Sequence, residues 1–386
     1  MREEVTAIIF AAVVINAAFL SGAASAGEDA AVSHWKRPLA PHSGRYSLRP
    51  SACKACHEEQ YRDWSGSLHR RAVGPGLMAQ LDPATDPATA ASCYFCHAPL
   101  PEQAEMIEGA NGAYAANGAY DEALQKTGAT CAACHSRGGR IFGPPPRANS
   151  KPASAGGSAE PGHGGFAPLD LFTSAQFCAA CHQMDEGYSL NGKLLTNTYN
   201  EWKASSFARD GVVCQDCHMP DRRHLWRGIH DKEMTASALS IEPSLEKSQY
   251  RLTIRNIGAG HYFPTYVTPM VEVKGYRVDA AGGMMQGSLR SGWIGRKVSL
   301  DLSVEEFDTR IPPGGGFVFN YPRVPPRRGE KIIFEIWVYP DLFYANFFDH
   351  ALGRGGDGMK VNLLKKASKN GRASPYLLWK QERPAA

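Results

Sequence analysis

Five copies of Cys-x-x-Cys-His constrain this chain more than anything else in it: Cys53-Cys56-His57, Cys93-Cys96-His97, Cys131-Cys134-His135, Cys178-Cys181-His182 and Cys214-Cys217-His218. They use all ten cysteines of the 386-residue sequence. Two intervening residues set both thiols on one short turn, and the next residue projects an imidazole from that turn. This is the arrangement that attaches haem c: the thiols add to the two porphyrin vinyl groups and the His ligates the iron. Zinc sites, redox-active dithiols and disulfides also use Cys-x-x-Cys. Those uses tolerate many residues after the second Cys, so His at every copy favours five covalently bound haem c groups.

The segment from Cys53 to His218 holds 166 residues for five cofactors, about 33 each. So little chain per cofactor cannot build a side-chain core, and stacked porphyrins would have to provide the buried apolar surface. Short helices joined by irregular loops are expected. Successive motifs begin 40, 38, 47 and 36 residues apart, too unevenly for a solenoid. A weaker repeat aligns Tyr61-x-x-Trp64-x-x-Ser67-x-His69 with Tyr199-x-x-Trp202-x-x-Ser205-x-Phe207. The i, i+3 spacing puts Tyr and Trp on one helical face, suited to packing on a porphyrin or into an ordinary aromatic core.

The N-terminus reads as a signal peptide over residues 1–26, with an apolar run from Thr6 to Leu20 and small residues ending at Ala24-Ser25-Ala26. Fifteen residues are short for a membrane span, so no span is expected after cleavage, although Glu3 and Glu4 beside Arg2 leave the start without a clear positive charge. Export agrees with haem attachment, which takes place outside the bacterial cytoplasmic membrane; the expected location is the periplasm or extracellular face of a bacterium. The formal charge of +4 describes the apoprotein alone, since each haem adds two propionates, and it points to neither nucleic acid nor membrane.

Residues 27–50, with Pro38, Pro41 and Pro50, form an extended lead-in. The five-haem domain is placed at 51–240, with a Pro/Gly/Ala/Ser loop between Gly143 and Pro168 that carries His163. From about Ile241 the pattern changes to period two, as in Tyr250-Leu252-Ile254 and Ile332-Phe334-Ile336-Val338, broken by turns such as Pro312-Pro313-Gly314-Gly315-Gly316. That predicts an antiparallel β-sandwich of roughly six to eight strands over 241–345. A C-terminal tail, 346–386, is expected to pack back, with a helix through Leu363, Leu364 and Ala367 and then Tyr376 to Trp379. The fold class is therefore a mainly-α, loop-rich pentahaem cytochrome c domain followed by an antiparallel β-sandwich domain.

The stretches TYNEWKASSFARDGVVCQDCHMP, HLWRGIH and NIGAGHYFPT carry a resemblance. The chain resembles multihaem c-type cytochromes related to the tetrahaem carriers of ammonia oxidation and to hydroxylamine oxidoreductase, and more closely exported cytochromes in which a haem domain precedes a β-sandwich. The similarity runs from about Ser51 to Val338. It implies fold, secretion and electron transfer, but no substrate, because such proteins include both carriers and enzymes.

With His57, His97, His135, His182 and His218 as proximal ligands, eight of thirteen histidines remain for the distal positions. His69 follows Ser67 where the resemblance implies a distal ligand. On one continuous helix it would lie about 18 Å from His57 and so serve a different haem. His224 and His230 flank Trp226-Arg227-Gly228, where related sequences ligate haem, against a solvated surface role. His261 follows Gly258-Ala259-Gly260, small residues that permit close approach to a flat ligand, against a His satisfied by a turn. His163 is the fifth candidate, since related chains often place a His upstream of such a motif. His34, His42 and His350 are reserves, and Met184 and Met219 are sulfur alternatives nearer to ordinary packing. Phe207 stands where the repeat has His69, so another His compensates or one iron stays open.

Two functions follow. One is electron transfer through a chain of closely packed, mostly bis-His haems, with other cytochromes, a quinol-oxidising membrane complex or an outer-surface complex as redox partners and self-association as a further contact. The alternative is oxidoreduction of a small nitrogen or sulfur compound at one iron with an open distal face, for which Arg70, Arg71 and Arg209 are nearby cations. Because all five motifs end in His, the Lys-ligated catalytic haem of pentahaem nitrite reductases is absent.

Overall fold

The computed structural model describes residues 46–147, 163–323 and 329–384. The signal peptide, most of the lead-in with His34 and His42, and most of the Pro/Gly/Ala/Ser loop lie outside the described residues.

From Pro50 to Ser237 the regular elements are mostly short helices: α1 (Pro50–Lys54), α2 (Glu58–Gly66), α3 (Pro75–Gln80), α4 (Pro87–His97), α5 (Glu122–Gln125), α6 (Cys131–His135), α7 (Gln176–His182), α8 (Thr198–Lys203), α9 (Ser206–Arg209), α10 (Cys214–His218) and α11 (Lys232–Ser237). The motifs terminate helices. In α4, α6, α7 and α10 the motif His is the last helical residue, and the following residue leaves helical geometry at Ala98, Ser136, Gln183 and Met219. At the first motif His57 instead stands at the N-cap of α2. Pro87 and an Asp86 side chain that accepts from the Thr89 amide start α4. Apolar clusters here are small, such as Leu48, Leu100, Leu124, Ala132 and Ala133.

The strands that follow are β1 (Leu239–Leu245), β2 (Gln249–Asn256), β3 (Met270–Val278), β4 (Arg290–Ile294), β5 (Arg296–Val298), β6 (Glu305–Asp308), β7 (Gly316–Pro322), β8 (Lys331–Tyr339) and β9 (Tyr376–Pro384). They form one sheet in the order β4-β3-β8-β9, a second in the order β7-β2-β1, and a β5-β6 hairpin, with every pairing antiparallel. Alternation along β2 buries Tyr250, Leu252, Ile254 and Asn256 on one face. These apolar residues share a core with Val271, Val273, Ile332, Phe334, Ile336 and Val338 of the other sheet.

The expected tail is more structured than packing back requires. It makes α12 (Leu342–Gly353) and α13 (Val361–Arg372), and then β9 becomes the fourth strand of the larger sheet by pairing with β8. The sandwich thus reaches past residue 345. Phe347, Phe348, Ala351, Leu364 and Ala367 of the two helices cluster with Ala79 of α3, tying the C-terminus to the segment before the second motif.

Candidate haem cavity and its histidine pairs

The motif helices surround one connected cavity of about 5090 Å³. Its wall carries all ten cysteines, all five motif histidines, and His69, His163, His224, His230, His261 and His350. Shared among five motifs the volume is about 1000 Å³ each, the upper end of the range for a bound small molecule.

Three pairs of imidazoles face each other across this space. His135 and His224 have ring centroids 6.2 Å apart with planes at 28°. His218 and His261 are 6.4 Å apart at 12°. His69 and His182 are 6.2 Å apart at 73°. Two imidazoles on opposite sides of one metal at about 2.0 Å, with about 1.2 Å from ring centre to nitrogen, would place their centroids about 6.4 Å apart. The residues therefore fit haem: each pair joins a motif His to a non-motif His at the separation that one iron would span. Among the described residues no further histidine pair stands this way.

Ring nitrogens elsewhere are held for the same task. The Nδ1 atoms of His97, His135 and His218 donate to the carbonyl oxygens of Ala72 (2.8 Å), Phe142 (2.7 Å) and Arg227 (2.7 Å), which leaves Nε2 for a metal. His224 and His261 donate likewise to Arg222 O (3.0 Å) and Tyr262 O (2.9 Å), and His163 to Gly165 O (2.8 Å). His182 differs, its Nδ1 lying 2.5 Å from the Tyr266 hydroxyl. His230 differs in the other sense: its Nε2 is 3.0 Å from Asp341 Oδ1. Burial pushes His69 down to about 3 and His135 and His182 down to about 4, so these imidazoles are neutral, the form that ligates.

The cysteines show which motifs adjoin. Cys53 lies beside Cys131, Cys96 beside Cys181, and Cys178 beside Cys214, each pair close enough to interact. Trp226 lies edge-on between His69 (4.8 Å) and His224 (5.0 Å), the two histidines that face His182 and His135 of the fourth and third motifs. The Arg137 side chain, buried in the same wall near Cys134 and Cys181, is a cation suited to a carboxylate-bearing cofactor.

Local packing explains how non-motif residues reach the cavity. Helix α2 stops at Gly66, and His69 opens a separate turn, so it is not on one helix with His57. The two Tyr-Trp-Ser copies match in detail: the indole of Trp64 donates to Ala129 O (2.9 Å) and that of Trp202 to Val212 O (2.8 Å). Each Ser returns a hydrogen bond to the Trp carbonyl, Ser67 at 2.7 Å and Ser205 at 2.6 Å. In the second copy Phe207 packs on the backbone beside His261. A Cβ on Gly260 would meet Phe207 Cβ and Trp202 Cδ1 at 3.2 Å, so glycine lets this loop close on α8 and α9. Asp63 of α2 grips the His224 segment: Arg223 donates to both carboxylate oxygens at 2.7 Å, and the His224 amide adds a third bond at 3.1 Å.

Tyr266, Trp226, Asp63 and Arg137 are not picked out by the motif pattern, because what singles them out is contact with segments remote in sequence: His182, His69, the His224 amide and Cys181. Tyr266 carries the faintest signal, one residue past the GAGHYFPT stretch.

Comparison with known proteins points the same way. The family described as outer membrane cytochrome MtrC/MtrF-like, domains II/IV, matches residues 25–142, a span that holds the first three motifs. The penta-heme cytochrome c552 from Thermochromatium tepidum is similar in structure, with a TM-score of 0.56 and 19% identity over 86% of this chain and 97% of that one. No curated protein matches the chain at a significant level. Cavity, motifs and these likenesses together support one statement of kind: the chain has the fold of a multihaem cytochrome c, here with a β-rich portion.

Proposed function

We propose that the chain is an exported pentahaem c-type cytochrome that passes electrons along closely packed, mostly bis-His haems. One observation carries this reading: three motif histidines each face a non-motif histidine at 6.2–6.4 Å. In it the ten cysteines hold the porphyrins, His57, His97, His135, His182 and His218 are proximal, and His224, His69 and His261 take the distal positions opposite His135, His182 and His218. His163 and His230, on the same cavity wall, are the proposed partners for the irons at His57 and His97, with His350 in reserve. His230 would first have to release Asp341.

When bound, haem supplies a one-electron iron couple tuned by axial ligation and burial. The chain's part is to hold and space the sites. The cysteine contacts put the third motif beside the first, and the fourth beside both the second and the fifth. Trp226 closes the step between the third and fourth. The described residues include no helix long and apolar enough to cross a membrane. The outer-membrane family's partial match supports export and other cytochromes as partners.

A second reading, reaction of a small nitrogen or sulfur compound at one open iron, is favoured by His57 and His97, which face no His at ligation distance among the described residues. Tyr344 of α12, whose phenol is raised chiefly by burial, lies near Cys93 of the second motif. Electron paramagnetic resonance of the oxidised protein, with and without cyanide, separates the two. Five haems and only low-spin signals indifferent to cyanide are expected. The pair at 73° should give a strongly anisotropic signal, unlike the pairs at 28° and 12°. A full-strength high-spin signal that shifts with cyanide overturns the carrier reading, and a pyridine haemochrome count below five overturns the haem assignment.

A further inference from the structure

We propose that Glu201 accepts a proton when an electron reaches the iron held by His182, the two being coupled through the adjoining hydroxyls of Tyr266, Thr198 and Thr265. This rests on the haem reading above. His97, His135 and His218 end their Nδ1 bonds on backbone carbonyls, which transmit nothing further. His182 alone among the motif histidines with a described Nδ1 partner meets a hydroxyl, Tyr266 Oη at 2.5 Å.

From there the polar contacts continue toward Glu201. The Tyr266 hydroxyl adjoins Thr198, Thr198 Oγ1 is 2.9 Å from Thr265 Oγ1, and Thr265 Oγ1 donates to Glu201 Oε2 at 2.6 Å. One consistent orientation has each group donate to the next, from His182 Nδ1–H to the carboxylate. Thr198, Thr265 and Tyr266 line the haem cavity, and Glu201 sits behind them at 7% exposure. An anion at the end of the relay strengthens the hydrogen bond at His182, makes the imidazole a better donor to iron and favours the oxidised state.

The groups that face Glu201 decide whether it can change charge. Oε2 also accepts from the Tyr262 amide (3.1 Å), and Oε1 accepts from Arg310 Nη1 (3.1 Å), whose guanidinium lies over the Tyr262 ring. Arg310 is shared with Asp308, Asp308 with Lys193, Lys193 with Glu305, and Glu305 with Arg296. The row alternates three anions with three cations and is neutral overall. One added proton leaves it at +1, the sign that offsets an arriving electron. Burial raises the Glu201 carboxyl despite these donors, which brings its titration toward neutral pH.

The step balances simply. One electron comes from a neighbouring redox centre, and one proton leaves a hydronium ion of the solvent, whose O–H bond breaks as an O–H bond forms on the Glu201 carboxylate, with water left behind. Linkage makes the effect reciprocal: protonation weakens the pull on His182, and reduction raises the carboxyl's affinity for the proton.

The test is a spectroelectrochemical titration of the holoprotein between about pH 5 and 9, following the anisotropic signal of the His69/His182 site. In the wild type that potential should fall as pH rises, approaching about 59 mV for each tenfold change in proton activity, the one-electron limit. Glu201→Gln should abolish the slope and raise that potential, with the other four haems unmoved. Thr265→Val keeps the Glu201–Arg310 pair and cuts the relay, so it should flatten the slope as well; it also serves if Glu201→Gln fails to fold. A flat wild-type profile with five haems, a slope that survives in Glu201→Gln (titrating propionates), or a full slope in Thr265→Val each overturns the relay while leaving the carrier reading intact. Fewer than five haems in the wild type overturns both.

Discussion

The two halves of this chain have interiors of different origin. In the β-sandwich, Ile254, Val271, Val273, Ile294, Ile336 and Val338 are fully buried against one another, and side chains fill the space between the sheets. In the region of the motifs, small clusters of side chains surround a cavity of about 5090 Å³ walled with histidines and cysteines. The first half spends its chain on holding a core that it does not itself supply. The second builds its own core and contributes His261 to the cavity wall, facing His218. Part of their joint is polar: Arg296, with no exposure, bridges Glu305 and the carbonyls of Leu190, Lys193 and Leu194 across the two.

If that contrast is right, damage to each half should have its own signature. The largest effect is expected from Cys178→Ala with Cys181→Ala, which removes the attachment at the motif adjoining the second and fifth. Bound cofactor is folding energy on the order of 10 kcal/mol, so residues 176–230 should lose hydrogen-exchange protection while β2, β3 and β8 keep theirs. Loss of protection in both halves together would show a single shared core instead. Next in size, Ile336→Ala should lower the stability of the sandwich by about 3 kcal/mol in denaturant unfolding. The haem count and low-spin spectrum should not change, and a lost haem would break the comparison.

A smaller effect sharpens the picture of the first half. The Arg223 hydrogen bonds hold the Asp63 carboxyl below its usual range. A depressed carboxyl contributes stability that is present above its unfolded value of about 3.9 and is lost as pH falls through the lower folded value. Asp63→Asn should therefore cost about 1 kcal/mol near neutral pH and flatten the acid limb of a stability–pH curve. It should also release a fraction of the His135/His224 site to high spin, because an amide offers one acceptor oxygen where Arg223 and the His224 amide together present three donors. An unchanged spectrum would mean that the segment is held without Asp63.

Much of the sandwich was legible because period-two alternation is a local consequence of strand geometry, as in β2 and β8. Strand β9 was less so: Tyr376 to Trp379 is a short run, and only its partner β8 makes it a strand rather than a tail. In the candidate site, His69, His224 and His261 stand out by composition and context, but nothing in one sequence says which iron each would face. Phe207 looks like a missing ligand until Gly260 is seen packed on it.

The sequence alone fixes the covalent half of each site, since two thiols and an imidazole on one turn depend on spacing and nothing else. Tertiary structure chose the partners. His69 meets His182, His224 meets His135 and His261 meets His218 only because separate segments are brought across one cavity. The same folding sets Tyr266, rather than a carbonyl, against His182. Ligation across an iron is a relation between distant residues, and a linear pattern records only near ones.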